Sequence, residues 1–214
     1  RRMAGSRTMI TMSWSLQRAD HGEQPYWMAI TLAAMLGQIG LPGGGFGCYG
    51  SVNRLGNHRR TVPSPHMSQG KSAGNIAVPA VCITDMLLNP GKPIEFNGAK
   101  FDYPDIRLIY WCGGNPFHHQ QNLNRLIEGW RRPETVIVNE IAWTATARHA
   151  DIVFPATTTL ERNDITASGA DRYLFAMHQA IDPVAEARND FDIFADLADR
   201  LGFREEFTEG RNEK

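Results

Sequence analysis

Cysteine is scarce in this chain. Its 214 residues hold only Cys48, Cys82 and Cys112, with no Cys-x-x-Cys pair. An odd number of widely spaced thiols excludes a disulfide framework and offers no ligand spacing for a structural zinc site or an iron–sulfur cluster. Long apolar runs are missing too: none approaches the roughly 18 residues of a membrane-spanning helix. Charge of one sign is also missing. The 22 Lys and Arg nearly balance 23 Asp and Glu, for a formal net charge of −1. No global basic field therefore draws the chain to nucleic acid. No internal repeat is present. Arg1-Arg2 is followed by no apolar stretch of the kind a secretory leader requires. The chain is expected to be an internal piece of a longer protein.

Glycine and proline are plentiful, at 20 and 12 residues, and 42% of the chain is hydrophobic. That composition suits one substantial core with much irregular loop. Residues 8–15 read as a strand. Residues 25–39 read as a helix, with Met28, Leu32, Leu36 and Ile39 at helical spacing before a glycine-rich stop at 40–45. Residues 46–80, rich in Gly, Ser, Asn, Pro and His, read as a long ordered loop, with a helix over 76–88. The pattern sharpens after residue 105. Strands are predicted over 106–112, 135–138 and 151–154, with helices over 116–131, 144–149 and 190–201. Phe191, Phe194, Leu197, Ala198 and Leu201 share one face of the last helix. Alternating buried strands and amphipathic helices predict an α/β fold. The expectation is one domain over 1–214: a three-layer αβα arrangement, a mostly parallel sheet, and a long irregular insertion at 46–80.

The strongest local constellation is Gly113-Gly114-Asn115-Pro116-Phe117-His118-His119, where a buried strand turns into a helix. Asn115 is a good N-cap and Pro116 suits the first helical position. The glycines let the backbone approach a ligand, and helix N–H groups there favour an anion such as a phosphate. His119 falls about one turn further on. The residues leave a second reading open: a well-capped helix with two exposed histidines. The next strand ends at Asn139-Glu140, an amide and a carboxylate suited to accept from a ribose or a guanine edge. Ligands of open parallel sheets sit beyond such strand ends. Gly45-Phe46-Gly47-Cys48-Tyr49-Gly50 matches G-x-G-x-x-G, yet it follows a helix rather than a strand. Gly70-Lys71-Ser72 has Pro65 where a P-loop needs its first glycine. Both are set aside. The polar turns Trp14-Ser15-Leu16-Gln17-Arg18 and Glu161-Arg162-Asn163-Asp164 hold many donors and acceptors without naming a ligand.

Several of these segments together resemble the bis-molybdopterin guanine dinucleotide oxidoreductases. They are Trp14 to Arg18 with Gly22-Glu23-Gln24, Leu36 to Gly47, Gly113 to Gln120, Trp143 to Val153, Glu161 to Asp164, and Asn189 to Asp192. They run in family order along nearly the whole chain and are most similar to the branch that reduces dimethyl sulfoxide, trimethylamine N-oxide and biotin sulfoxide. The resemblance implies a molybdenum cofactor held by two pterin guanine dinucleotides. It implies that Asn115, His119, Asn139 and Glu140 contact one guanine dinucleotide. Trp14, Ser15, Gln17 and Arg18 would line the cofactor channel, and Arg162 and Asp192 would belong to the same site. It assigns no catalytic residue and no metal ligand to this chain. In this branch a serine ligates the metal, from a segment expected before residue 1. Gln120-Gln121 stands where relatives often have Gln-Asp, and the loop at 51–75 looks short. The implied partners are the remaining domains of the parent enzyme and a small oxide substrate, with no nucleic acid and no membrane span. The isolated chain is expected to lack the cofactor and reductase activity, with loops at 46–75 poorly pinned. Two other functions stay open: a stand-alone guanine-nucleotide-binding module without redox activity, and a partner-binding domain.

Overall fold

The computed structural model describes residues 1–19, 21–48, 76–96, 98–167 and 173–212. It is a mixed α/β chain with small parallel and antiparallel sheets. Two compact units form, one from Arg1–His66 with Ala167–Leu174, the other from Met67–Thr166 with Phe175–Lys214.

In the first unit, strand β1 (Met9–Met12), helix α1 (Gln24–Met35) and strand β2 (Gly45–Cys48) follow in order, and β2 pairs parallel to β1. β1 is shorter than the predicted 8–15. Ser13 caps a 3-10 turn over Trp14–Arg18, its Oγ accepting from Ser15 N at 3.3 Å. α1 likewise stops before 39, because Gly37 turns the chain with φ +67°. Buried Gln38 then bridges the two strands' approach. Its Oε1 accepts from Thr8 N at 2.6 Å and its Nε2 donates to Ser6 O at 2.7 Å. Gly45 is required here: at φ +90° a Cβ would stand 3.2 Å from Ile39 Cα. The expected loop at 46–80 therefore begins with a strand. Backbone pairing to β1 overrides the poor strand propensity of its glycines. The rest of that loop, 49–75, lies outside the described residues.

α1 has no charged side chain, and only Ala29 and Ala33 are buried on it. Trp27, Met28 and Met35 are 63%, 65% and 81% exposed. A helix apolar all round ordinarily lies inside a larger assembly.

In the second unit, helix α2 (Ile83–Leu88) follows a 3-10 turn and replaces the longer helix predicted over 76–88. Strands β3 (Pro93–Phe96) and β4 (Ala99–Asp102) form an antiparallel pair that the sequence patterning missed. A three-stranded parallel sheet then runs in the order β5 (Leu108–Cys112), β6 (Thr135–Glu140), β7 (Ile152–Pro155). All three strands fall where the sequence placed them. Before β7, Asp151 pins the sheet: its Oδ2 accepts from Val136 N at 2.8 Å, and its own N donates to Val136 O.

The helix predicted over 116–131 is two helices, α3 (Pro116–His119) and α4 (Leu123–Trp130). Asn122 breaks it with φ +52°, and its Oδ1 accepts from Arg125 N to start α4. The helix expected over 144–149 is only a 3-10 turn at Ala147–His149. Strands β8 (Asp164–Ala167) and β9 (Leu174–Met177) form a further two-stranded sheet. Helix α5 (Asp190–Leu201) has the predicted bounds and ends at Gly202, φ +84°. A short helix α6 (Arg204–Thr208) follows.

Side-chain alternation on β6 divides the packing. Val136 and Val138 join Leu87 of α2, Phe117 of α3, and Leu126 and Trp130 of α4 in the main core. The other face meets α5, where the Tyr110 and Phe194 rings lie 5.4 Å apart. β5 and β7 are edge strands and stay half exposed, so the strand expected to be buried over 106–112 is buried only in part.

Candidate functional site

The carboxyl ends of β5, β6 and β7 open into a cavity of about 380 Å³. Its lining includes Gly113 and Gly114 after β5, Glu140 at the end of β6, Thr157 and Thr158 after β7, and Asp190 at the start of α5. Three parallel strands thus end on one depression, where ligands of such sheets bind. Gly113 and Gly114 have φ +72° and +67°, and a Cβ on either would meet nothing within 4 Å. Their bare backbone leaves that space to a ligand. The Trp111 indole fixes the turn by donating to Gly113 O at 2.7 Å.

Asn139 is 5% exposed, and both ends of its amide are engaged. Tyr110 Oη donates to its Oδ1 at 3.0 Å, and its Nδ2 donates to Asp190 Oδ1 at 2.8 Å. Burial, with the negative charges of Cys112 and Asp190 nearby, pushes the Tyr110 hydroxyl up from 10.0 to about 12. Burial also pushes the Cys112 thiol up. Glu140 accepts from Ile141 N at 2.9 Å and from the Thr144 hydroxyl at 3.0 Å, which sets its carboxylate at the strand end.

The opposite wall is a braced loop. Arg162 donates through Nε to Asp164 Oδ2 at 3.0 Å and through Nη1 to Thr157 O. The Thr157 hydroxyl donates to Asn189 Oδ1 at 2.7 Å. Buried Glu161 accepts from Thr158 N, the Thr158 hydroxyl and Val184 N, each at 2.7 Å. The Thr158 backbone N–H, the Thr158 hydroxyl and the Val184 N–H hold this carboxyl below the usual range. A second cavity of about 510 Å³ adjoins the first, sharing Glu140, Ile141, Ala156 and Thr158.

Of the residues singled out from sequence, Asn139, Glu140 and Arg162 line the strand-end cavity. Asn115 stands beside it at the N-cap position of α3, without capping: its Oδ1 accepts from the Thr146 hydroxyl. His119 is exposed at the end of α3 and does not line the cavity. Asp192 is half-buried two residues beyond Asp190, also outside the lining. Trp14, Ser15, Gln17 and Arg18 share one 3-10 turn in the first unit, which the Tyr26 hydroxyl ties to α1 by donating to Ser13 O at 2.7 Å. Sequence reasoning passed over Tyr110 and Asp190. Asp190 had a usable signal: it is the first residue of a clear amphipathic helix.

The model of the molybdopterin oxidoreductases matches residues 3–200, and the chain belongs to that family. It is 55% identical over 209 residues to a biotin sulfoxide reductase of Cereibacter sphaeroides, covering 97% of this chain and 28% of that protein. It is 50% identical to the dimethyl sulfoxide/trimethylamine N-oxide reductase of the same organism, covering 100% of this chain and 28% of that one. The trimethylamine-N-oxide reductase of Haemophilus influenzae is 47% identical, with 98% and 27% covered. The chain thus spans little more than a quarter of the length of these relatives. Among solved structures, the acetylene hydratase of Pelobacter acetylenicus aligns with a TM-score of 0.42 at 24% identity, over 49% of this chain and 14% of that one. No helix of the described residues is long and apolar enough to cross a membrane.

Proposed function

We propose that residues 1–214 are a cofactor-binding portion of a molybdenum-dependent S- or N-oxide reductase, and that the strand-end cavity receives the guanosine end of one pterin guanine dinucleotide. The observation that carries this is the cavity lined by Gly113, Gly114, Glu140 and Asp190 at the ends of three parallel strands. Its volume, about 380 Å³, lies within the roughly 300–1,000 Å³ usual for small-molecule sites. Its carboxylates are acceptors, suited to the N–H groups of a guanine edge and the hydroxyls of a ribose.

The acceptor lining alters one expectation. α3 has only four residues, too short for a macrodipole that holds a phosphate, because a dipole of that kind needs several aligned turns. The cavity therefore takes the nucleoside rather than the phosphates. Glu140 and Asp190 would contact base or ribose, with Asn139 behind Asp190 and Arg162 bracing the Thr157 loop. Asn115 would hold the neighbouring turn through Thr146. His119 and Asp192 would reach the cofactor only outside this cavity. Trp14, Ser15, Gln17 and Arg18 would line the channel toward the metal.

When bound, the molybdenum cofactor supplies oxygen-atom transfer from the oxide. This chain's own residues bind and orient its nucleotide. The remaining domains of the parent would enclose the cofactor and cover α1. In the parent, the small parallel sheets would extend into a three-layer αβα body. The relatives' names favour dimethyl sulfoxide, trimethylamine N-oxide or biotin sulfoxide as substrate.

The test is made on the full-length protein that contains this chain, purified from a host able to make the cofactor. Asp190→Ala is expected to lower bound molybdenum and bound guanine nucleotide together. Full occupancy of both would overturn the assignment of this cavity.

A further inference from the structure

We propose that Tyr110 is a positioning residue that acts through Asn139 to aim the Asp190 carboxylate into the strand-end cavity. This rests on the reading of that cavity as a nucleoside site. The three side chains come from β5, β6 and the first residue of α5, so the relay crosses two strands and ends on a helix. Its hydrogen bonds are 3.0 Å from Tyr110 Oη to Asn139 Oδ1 and 2.8 Å from Asn139 Nδ2 to Asp190 Oδ1.

The direction of the relay follows from what each group can donate. A carboxylate only accepts, so the Asn139 atom facing Asp190 must be the amide nitrogen. Its oxygen then faces Tyr110, whose hydroxyl must be the donor. A flipped amide would set oxygen against oxygen at Asp190. Asn139 is 5% exposed, so water has little access to repair a wrong orientation. The Tyr110 ring is itself held against Phe194 on α5. With Oδ1 of Asp190 committed to Asn139, its Oδ2 is left for a donor in the cavity. A guanine presents two adjacent donors, N1–H and N2–H2, on its Watson–Crick edge, whereas an adenine sets its single N6–H2 donor beside the N1 lone pair, which an anionic carboxylate repels. Fixing the carboxylate therefore favours guanine over adenine.

The relay is tested on the 214-residue chain with its asparagine side chains labelled with 15N. Tyr110→Phe keeps the ring packing and removes only the donor. The expected result is exchange of the Asn139 side-chain amide protons at least tenfold faster, with a change in their resonance positions. Asp190→Ala, which removes the acceptor from the other end, should do the same. Unchanged exchange and resonances in folded Tyr110→Phe would overturn the relay. GDP and ADP serve as binding probes. Tyr110→Phe is expected to lose at least fivefold of the preference for GDP and also to lower the unfolding midpoint, because buried Asn139 Oδ1 loses its donor. A purely structural tyrosine would lower the midpoint and leave the preference unchanged, and that outcome also overturns the proposal. If the wild type binds neither nucleotide, the amide exchange alone decides the relay, and the Asp190→Ala test on the full-length protein decides the cavity.

Discussion

Thr146→Val is expected to destabilise the second unit by breaking one buried hydrogen bond. Thr146 has 0% of its surface exposed, and its hydroxyl donates to Asn115 Oδ1. Valine keeps the shape, loses the donor, and leaves the amide oxygen without its partner at a half-buried position. Leaving such a group unsatisfied costs about 1–3 kcal/mol. Asn115→Ala breaks the same bond from the other side and strands the Thr146 hydroxyl, at a similar cost of about 1–3 kcal/mol. Had Asn115 capped α3, its loss would cost about 0.5–2 kcal/mol independently of Thr146. The double variant separates the two accounts. If the side chains serve each other, it costs little more than the larger single change, with a coupling above about 0.5 kcal/mol. Urea unfolding followed by tryptophan fluorescence reads this, since Trp130 is buried in the core beside Phe117. Single costs that add to within about 0.3–0.5 kcal/mol would refute the pairing and restore the cap.

Leu126→Ala removes a fully buried side chain at the centre of the α4 packing and should cost about 2–5 kcal/mol in the same assay; a loss under 1 kcal/mol, by order of magnitude, would mean that the site collapses around the gap. Tyr110 has a pKa near 12 folded against 10.0 unfolded. The unfolded chain therefore loses this proton first, and the contribution is whole below pH 10 and lost as pH rises to about 12. The full interval corresponds to about 2.7 kcal/mol, and to about half of that once solvent around the partly exposed ring is allowed for. Tyr110→Phe should flatten this alkaline loss, as read by unfolding at stepped pH. On the acid side, the hydrogen bond from Lys92, opposed by burial and aided by Arg125, holds Asp85 below 3.8. Stability should fall as pH drops below that value, and Asp85→Asn should lessen the dependence. Met35→Lys on α1 should raise the solubility of the isolated chain while changing its stability by no more than about 0.5 kcal/mol. In the full-length protein the same change should destabilise, and an equal effect in both would mean that nothing covers α1.

Much of the fold was legible because periodicity survives where burial is one-sided or complete. β5, β6, β7 and α5 fall where apolar runs and a 3.6-residue stripe put them. The split of the 116–131 helix was hidden because no Pro or Gly stands between Pro116 and Gly129 to mark the break. Only the αL backbone of Asn122, with its side chain capping Arg125 N, starts a new helix there. β2 was hidden by its glycines, which read as a turn until β1 offers them a partner. β3 and β4 carried a signal that went unread: apolar and polar residues alternate in Ile94-Glu95-Phe96 and in Ala99-Lys100-Phe101-Asp102, on either side of Asn97-Gly98.

The site was legible at its strand ends and illegible in its directions. Gly113, Gly114 and the Asn139-Glu140 pair could be placed from sequence because a parallel sheet puts its ligands beyond its carboxyl ends. What a residue does there depends on which partner takes its hydrogen bonds, and those partners are distant in sequence. Asn139 reads as a ligand contact until Tyr110, 29 residues away, and Asp190, 51 residues away, claim both ends of its amide. Asn115 reads as a cap until Thr146, 31 residues away, takes its oxygen. In the first case a polar group at a strand end is buried and oriented from both sides; in the second it is half-buried and held by a fully buried hydroxyl. On the proposed reading of the cavity, the contact with ligand then falls to Asp190, whose carboxylate is held from behind by Asn139, rather than to Asn139 itself.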